Sequence, residues 1–269
     1  MKPAPAMAEP HPDGTPLYRF EQVSLSLGGK LIIDGLSLDV RRGEFVCIVG
    51  ASGCGKTTAL RLAAGLYQPS GGDVRFDGKT MRTPRQDIAI IFQDYGKALL
   101  PWRTASANIS LALEAAKVPK SDRPRLIREG LAKVGLGDHG DKYPAEMSGG
   151  MQQRLQIARC LAQNPQALLM DEPFGALDAM TRQSLQDEVL MLAADTGATV
   201  IFVTHDLEEA IYLGDRVIGL LPHPGRIGIE LKVDLPRPRN QLTTREEPEF
   251  LRLRRILFDF IKASEGGAA

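Results

Sequence analysis

An excess of charge of one sign, paired cysteines, long apolar runs and internal repeats are all missing from this chain of 269 residues. Lys plus Arg and Asp plus Glu both number 33, and the isoelectric point lies near 6.9. Without a basic excess nothing marks an electrostatic nucleic-acid binder, so no nucleic-acid partner is expected, although a local basic patch stays open. The three cysteines, Cys47, Cys54 and Cys160, form no C-x-x-C pair, which favours a reduced, cytosolic protein over a disulfide-stapled one. No apolar stretch approaches the roughly 18 residues that a membrane span needs. Any work at a membrane therefore has to pass through a partner. Residues 1–16 lack a signal peptide's apolar core and carry Pro3, Pro5, Pro10, Pro12 and Pro16, so a flexible tail is expected there. The length allows one large α/β domain with small appended elements.

What the chain does have is Gly50-Ala51-Ser52-Gly53-Cys54-Gly55-Lys56-Thr57-Thr58, a match to G-x-x-x-x-G-K-[ST]. Glycines let such a loop aim its backbone N–H groups at phosphate oxygens. Lys56 brings positive charge for the β- and γ-phosphates, and the Thr57 hydroxyl can ligate Mg²⁺. A helix starting at Lys56 would turn its positive dipole end to the same anion. The setting agrees: apolar Phe45–Val49 reads as a buried strand and Ala59–Leu66 as a helix. A nucleoside triphosphate is the expected ligand.

Strand signals fall at Leu17–Val23, Leu31–Val40, Asp73–Phe76, Ile88–Phe92, Ala167–Met170, Thr199–Val203, Arg216–Leu221 and Arg226–Val233. Helical patterns occupy Ala105 to about Pro144 in broken segments, then Ser148–Ala162, Leu177–Ala194, Leu207–Leu213 and about Glu247–Lys262. Strands alternating with helices predict an α/β fold on a parallel sheet, with an antiparallel piece at the start and a helical insertion in the middle.

Four further places carry chemistry. Asp171-Glu172 follows the buried strand Ala167–Met170, where one carboxylate can hold Mg²⁺ through water and the next can polarise the attacking water. Gln93 also ends a strand and is the right type to touch both metal and water; alone it reads better as a solvated loop residue. His205, after the strand Thr199–Val203, could donate a hydrogen bond to a γ-phosphate. Ser148 is a good N-cap, and Gly149 and Gly150 after it cost helix stability while leaving N–H groups open to a ligand.

Together these residues resemble the nucleotide-binding subunit of an ABC transporter. Gly50–Thr57 looks like Walker A, Gln93 the Q-loop, and Ser148–Gln152 the signature motif. Leu168–Glu172 looks like Walker B, Gly175–Asp178 the D-loop and His205 the switch histidine. The resemblance implies a P-loop NTPase cassette with a mostly parallel core sheet, an antiparallel β subdomain and a helical subdomain at about 94–162. The ATP-binding domain would be 17–235, with a Pro-rich connection and amphipathic helix at 236–269. It also implies ATP hydrolysis with Mg²⁺ held by Thr57, Gln93 and Asp171. Glu172 would be the catalytic base, with Lys56, Gln93 and His205 stabilising transferred charge. In the family two subunits meet head to tail, so Ser148, Gly149, Gly150 and Gln152 would act across a homodimer interface beside Asp178 of the D-loop. Met147 and Met151 depart from the common L-S-G-G-Q, which the family tolerates.

The text Phe92–Tyr95, Leu99–Thr104, Asn108, Ser148–Arg154, Asp171–Asp178 and Asp234–Arg239 is similar to the importers of nitrate, sulfonate, taurine and related small solutes. That similarity implies integral-membrane permease subunits as partners, a periplasmic solute-binding protein indirectly, and a peripheral place on the cytoplasmic face of a bacterial inner membrane. Leu99 and Trp102 are candidate contacts for a permease coupling helix, or else local core. An adenine-stacking aromatic of the family is replaced here by Leu27. An exporter ATPase remains a rival, as does an ABC ATPase acting on DNA or ribosomes. A single cassette without coiled coils argues against the latter two.

Overall fold

The computed structural model describes residues 15–92, 98–175 and 177–266. Contacts divide the chain into two units, one running to Arg85 and resuming at Leu190, the other Gln86–Val189.

The first unit holds two sheets. β1 (Tyr18–Leu27) pairs antiparallel with β2 (Lys30–Val40) and with β4 (Gly71–Phe76), and β5 (Lys79–Thr80) closes that sheet on β4. β1 runs past the expected end at Val23 because Ser24-Leu25-Ser26-Leu27 keeps the period-2 alternation of a half-buried strand. The second sheet is built on β3 (Phe45–Gly50), which lies parallel between β8 (Thr199–Val203) and β9 (Arg216–Leu221); β10 (Arg226–Lys232) adds antiparallel to β9. β3 and β8 are buried along their whole length, as parallel strands covered on both faces are. The helices of this unit are α1 (Lys56–Ala63), α6 (Leu207–Leu213), α7 (Thr243–Glu246) and α8 (Pro248–Gly266). The short α7 has no counterpart in the sequence reading, since four residues are too few to show a helical period.

The second unit pairs β6 (Ile88–Ile91) with β7 (Ala167–Asp171) in parallel. Its helices are α2 (Ala105–Ala115), α3 (Arg123–Lys133) and α4 (Gly149–Leu161), with single 3₁₀ turns at Gly137–His139 and Pro144–Glu146. Helix α5 (Ala179–Thr196) begins in this unit and ends in the other. Thr104 caps α2 by accepting from the Ala107 N–H at 3.3 Å. Asn108, fully buried, ties the preceding turn by donating to the carbonyls of Leu100, Arg103 and Thr104. No helix among the described residues is long and apolar enough to cross a membrane.

Candidate functional site

In the first unit the phosphate loop leaves β3 at Gly50 and enters α1 at Lys56. Two turns in it require glycine, Gly53 at φ 77° and Gly55 at φ 97°, a left-handed region costly for other residues. Gly50, at φ 156°, is constrained by space as well. A methyl group there would stand 2.6 Å from the Cys54 sulfur and 2.8 Å from the Leu220 carbonyl oxygen. The Lys56 ammonium turns back over the loop and donates to the carbonyls of Gly50 at 2.8 Å and Ala51 at 3.1 Å. Ser52 and Gly53 are exposed, whereas Cys54 is buried, and burial pushes its thiol pKa up. Thr57 and Thr58 are half-buried on the first turn of α1.

His205 belongs to the same sheet edge. β3 and β8 run parallel with Ile48 opposite Val203, and the Thr204 N–H donates to the Ile48 carbonyl at 3.2 Å. Neighbouring parallel strands thus end together, one in the phosphate loop and the other in exposed His205. The carboxyl ends of parallel strands are where α/β folds bind ligands. Asp206 follows as the N-cap of α6, accepting from the N–H groups of Glu208 at 3.0 Å and Glu209 at 3.1 Å.

In the second unit Asp171 is the buried last residue of β7 and Glu172 is half-buried beside it. Glu172 has φ 43°, a left-handed conformation that costs a non-glycine residue about 1–3 kcal/mol and tends to persist where function holds it. Ser148 caps α4, its hydroxyl accepting from the Met151 N–H at 3.4 Å. Gln152 turns its amide back to the carbonyls of Pro144 at 3.0 Å and Met147 at 3.2 Å. Gly149 and Gly150 form the first turn, and a methyl at Gly150 would lie 2.7 Å from Thr181 Cγ2 on α5. Asp178 accepts from the Thr181 N–H at 3.0 Å, and hydrogen bonding to Thr181 holds its carboxyl below the usual range. Gln93 lies outside the described residues.

The family model for the ABC transporter matches residues 33–175. A nitrate import ATP-binding protein of Synechococcus elongatus is 46% identical over 87% of this chain, which spans 36% of that longer protein. A bicarbonate transport ATP-binding protein from the same organism is 42% identical over 87% of this chain and 84% of its own length. The dimeric structure of an ATP-binding cassette in a post-hydrolysis state, bound to ADP and Pi, superposes with TM-score 0.69 at 30% identity, covering 80% of this chain and 98% of that one.

This chain belongs to the ABC transporter family.

It is an ATP-hydrolysing cassette with the α/β architecture expected of one. The structure separates the two candidate docking residues. Leu99 is 2% exposed and packs in the core, so it offers no surface. Trp102 is 71% exposed, which removes its reading as core. Leu27 ends β1 opposite Lys30, at a hairpin tip turned by Gly28 and Gly29, and is 39% exposed. Three residues were missed as parts of the phosphate loop's support. Ile33 packs under Gly55, Gly225 lies against the Cys54 carbonyl, and the Gly225 N–H donates to the Ile32 carbonyl at 2.8 Å. A Pro-Gly pair such as Pro224-Gly225 is a turn signal, but nothing in its spacing points to a loop so distant in sequence.

Proposed function

We propose that this cassette is the energy-coupling subunit of an importer for a small solute of the nitrate, sulfonate or taurine kind. The observation that supports this best is the 46% identity to a nitrate import ATP-binding protein along most of the chain. The bicarbonate relative points the same way, to small anionic solutes. Residues 17–235 form the ATP-binding domain in this reading, with the helical subdomain at about 94–162 and an appended segment at 236–269. Two copies pair head to tail, as the dimeric cassette of the related structure encourages. Integral-membrane permease subunits receive the motion, a periplasmic binding protein delivers the solute, and the cassette stays peripheral on the cytoplasmic face.

The chemistry we assign follows from the donor set. Thr57 offers a hydroxyl and Asp171 a carboxylate, the oxygen ligands that Mg²⁺ takes, and Gln93 adds an amide oxygen. Mg²⁺ bound there would neutralise charge on the β- and γ-phosphates. The loop N–H groups, from Gly50 to Thr58, cradle those phosphates, and Lys56 supplies a cation to them. Glu172 orients and deprotonates the lytic water. His205 donates to the γ-phosphate oxygens where negative charge builds up. Ser148, Gly149 and Gly150 reach the partner subunit's nucleotide, Gln152 braces that turn, and Asp178 lies beside the same interface.

The test has two arms. Glu172→Gln should keep ATP binding, lower hydrolysis about 10²- to 10⁴-fold and accumulate an ATP-bound dimer on gel filtration. Unchanged turnover would remove Glu172 from the chemistry. Purification from membranes should bring a permease with the cassette, and vesicles holding both should take up labelled nitrate or taurine only with ATP. Export of the label would favour the exporter reading.

A further inference from the structure

A helix of two turns cannot hold itself in water, since nucleation costs outweigh so few hydrogen bonds. α6 has only 7 residues, yet His205 and the N-cap Asp206 lie immediately before it. Something else has to fix its position: its apolar residues pack against β3 and β9 as well as the C-terminal helices, and the arginines that grip its two ends come from beyond β10. At its C-terminal end Arg239 donates to the carbonyls of Ile211 at 3.1 Å, Gly214 at 2.7 Å and Tyr212. Arg237 pairs with Asp215 at 2.6 Å just past the helix. At its N-terminal end Glu208 receives Arg245 at 2.9 Å and Arg254 at 3.0 Å, one on each carboxylate oxygen. Arg245 also lies over the buried Tyr212 ring at 5.1 Å and the Phe250 ring at 5.8 Å. Burial pulls the Arg239 guanidinium down to about 10, so it is still charged at neutral pH and is kept buried at a desolvation cost that the helix carbonyls offset.

We propose that the segment Arg237–Arg254 is a clamp on α6 that sets the position of His205, with Glu208 as a positioning residue for ATP hydrolysis. This rests on the reading of His205 given above. It accounts for the Pro-Arg-Pro-Arg text at 236–239, whose two arginines hold the end of the switch helix. It also gives the C-terminal helix a task at the site, through Arg254 on Glu208 and Phe250 under Arg245. A clamp acting through His205 should leave nucleotide affinity alone and change turnover. It should also have nothing left to change once the imidazole is gone.

The experiment is a double-mutant cycle on the full chain with Glu208→Gln, His205→Ala and both together. ATP affinity is measured by equilibrium titration and residual hydrolysis at high enzyme concentration. Glu208→Gln should bind ATP within about twofold of the parent and lose about three- to thirtyfold in kcat, the usual span for residues coupled through a network. In the His205→Ala background the same change should cost nothing further. Equal losses in both backgrounds, or a lowered melting temperature with kcat intact, would overturn the clamp and leave Glu208 a purely structural residue. His205→Ala turning over like the parent would instead remove the reading of His205, and the proposal with it. Should Glu208→Gln not fold, Arg254→Gln leaves Arg245 in place and should show a smaller loss of kcat, restored largely by Arg254→Lys. Full activity in Arg254→Gln would again overturn the clamp.

Discussion

Burying an ammonium is expensive unless polar groups replace its water, and Lys56, 8% exposed, meets that cost with two loop carbonyls. Those carbonyls keep the side chain folded over the loop before an anion arrives. Hydrogen bonds to charged groups contribute about 1.5–3 kcal/mol, so Lys56→Met should raise the dissociation constant for ATP by about ten- to a hundredfold in equilibrium titration. An unchanged constant would place the nucleotide elsewhere. Leu27 sets a second expectation. Stacking of a base on an aromatic ring is worth about 1–3 kcal/mol, and leucine lacks the flat π surface. GTP should therefore support appreciable turnover, and Leu27→Tyr should tighten ATP binding several-fold with little change in maximal rate. Weaker or equal ATP affinity in Leu27→Tyr would show that this hairpin tip does not face the base.

At the scale of elements, the two glycines at the start of α4 have two physical accounts. Open N–H groups serve a ligand, whereas the Thr181 methyl at 2.7 Å demands that Gly150 lack a side chain whatever binds there. Gly150→Ala should lower stability by about 1–3 kcal/mol through overpacking, read as a fall in melting temperature. Adding Thr181→Ser removes the clashing methyl and should restore stability. If ATPase activity returns with it, packing alone explains the glycine. If activity stays low, Gly150 serves the nucleotide as well. The same two helices are joined by Arg154 and Glu188 at 2.6 Å. Burial raises the Glu188 pKa above its ordinary 4.5, with Arg154 pulling against it. A carboxyl whose folded pKa is raised contributes stability that is full below the unfolded value and lost as pH rises through the folded one. Wild type minus Glu188→Gln melting temperature should therefore be largest below pH 4.5 and shrink as pH rises above it. A difference that grows with pH would mean that the ion pair outweighs the burial.

Across the whole molecule, the proposed site needs two copies of the chain. Turnover should then rise faster than linearly with protein concentration wherever dimers are scarce, and strictly linear rates from a verified monomer would rule out a shared site. Trp102, 71% exposed, is the candidate permease contact that the fold leaves on the surface. Trp102→Ala should leave isolated ATPase activity nearly intact and weaken co-purification with a permease, since aromatic anchors often dominate interfaces. Normal co-purification would move the docking site elsewhere.

The sequence by itself determined the phosphate loop and the buried strands Phe45–Val49, Ala167–Met170 and Thr199–Val203 that lead into Gly50, Asp171 and Thr204. It also determined the helix starts at Lys56 and after Ser148. These are local statements: a turn needs glycine, a buried parallel strand needs an unbroken apolar run, and a helix needs a cap, so neighbours in the chain suffice to read them. Tertiary structure alone decided what lies far apart in sequence and close in space. It put Ile33 and Gly225 against the loop and Thr181 against Gly150. It buried Leu99 while leaving Trp102 in solvent, and it turned Glu172 to φ 43°. It also brought Arg239, Arg245 and Arg254 onto a helix too short to stand alone, because an ion pair or a packed methyl depends on where the chain returns, which no local period records.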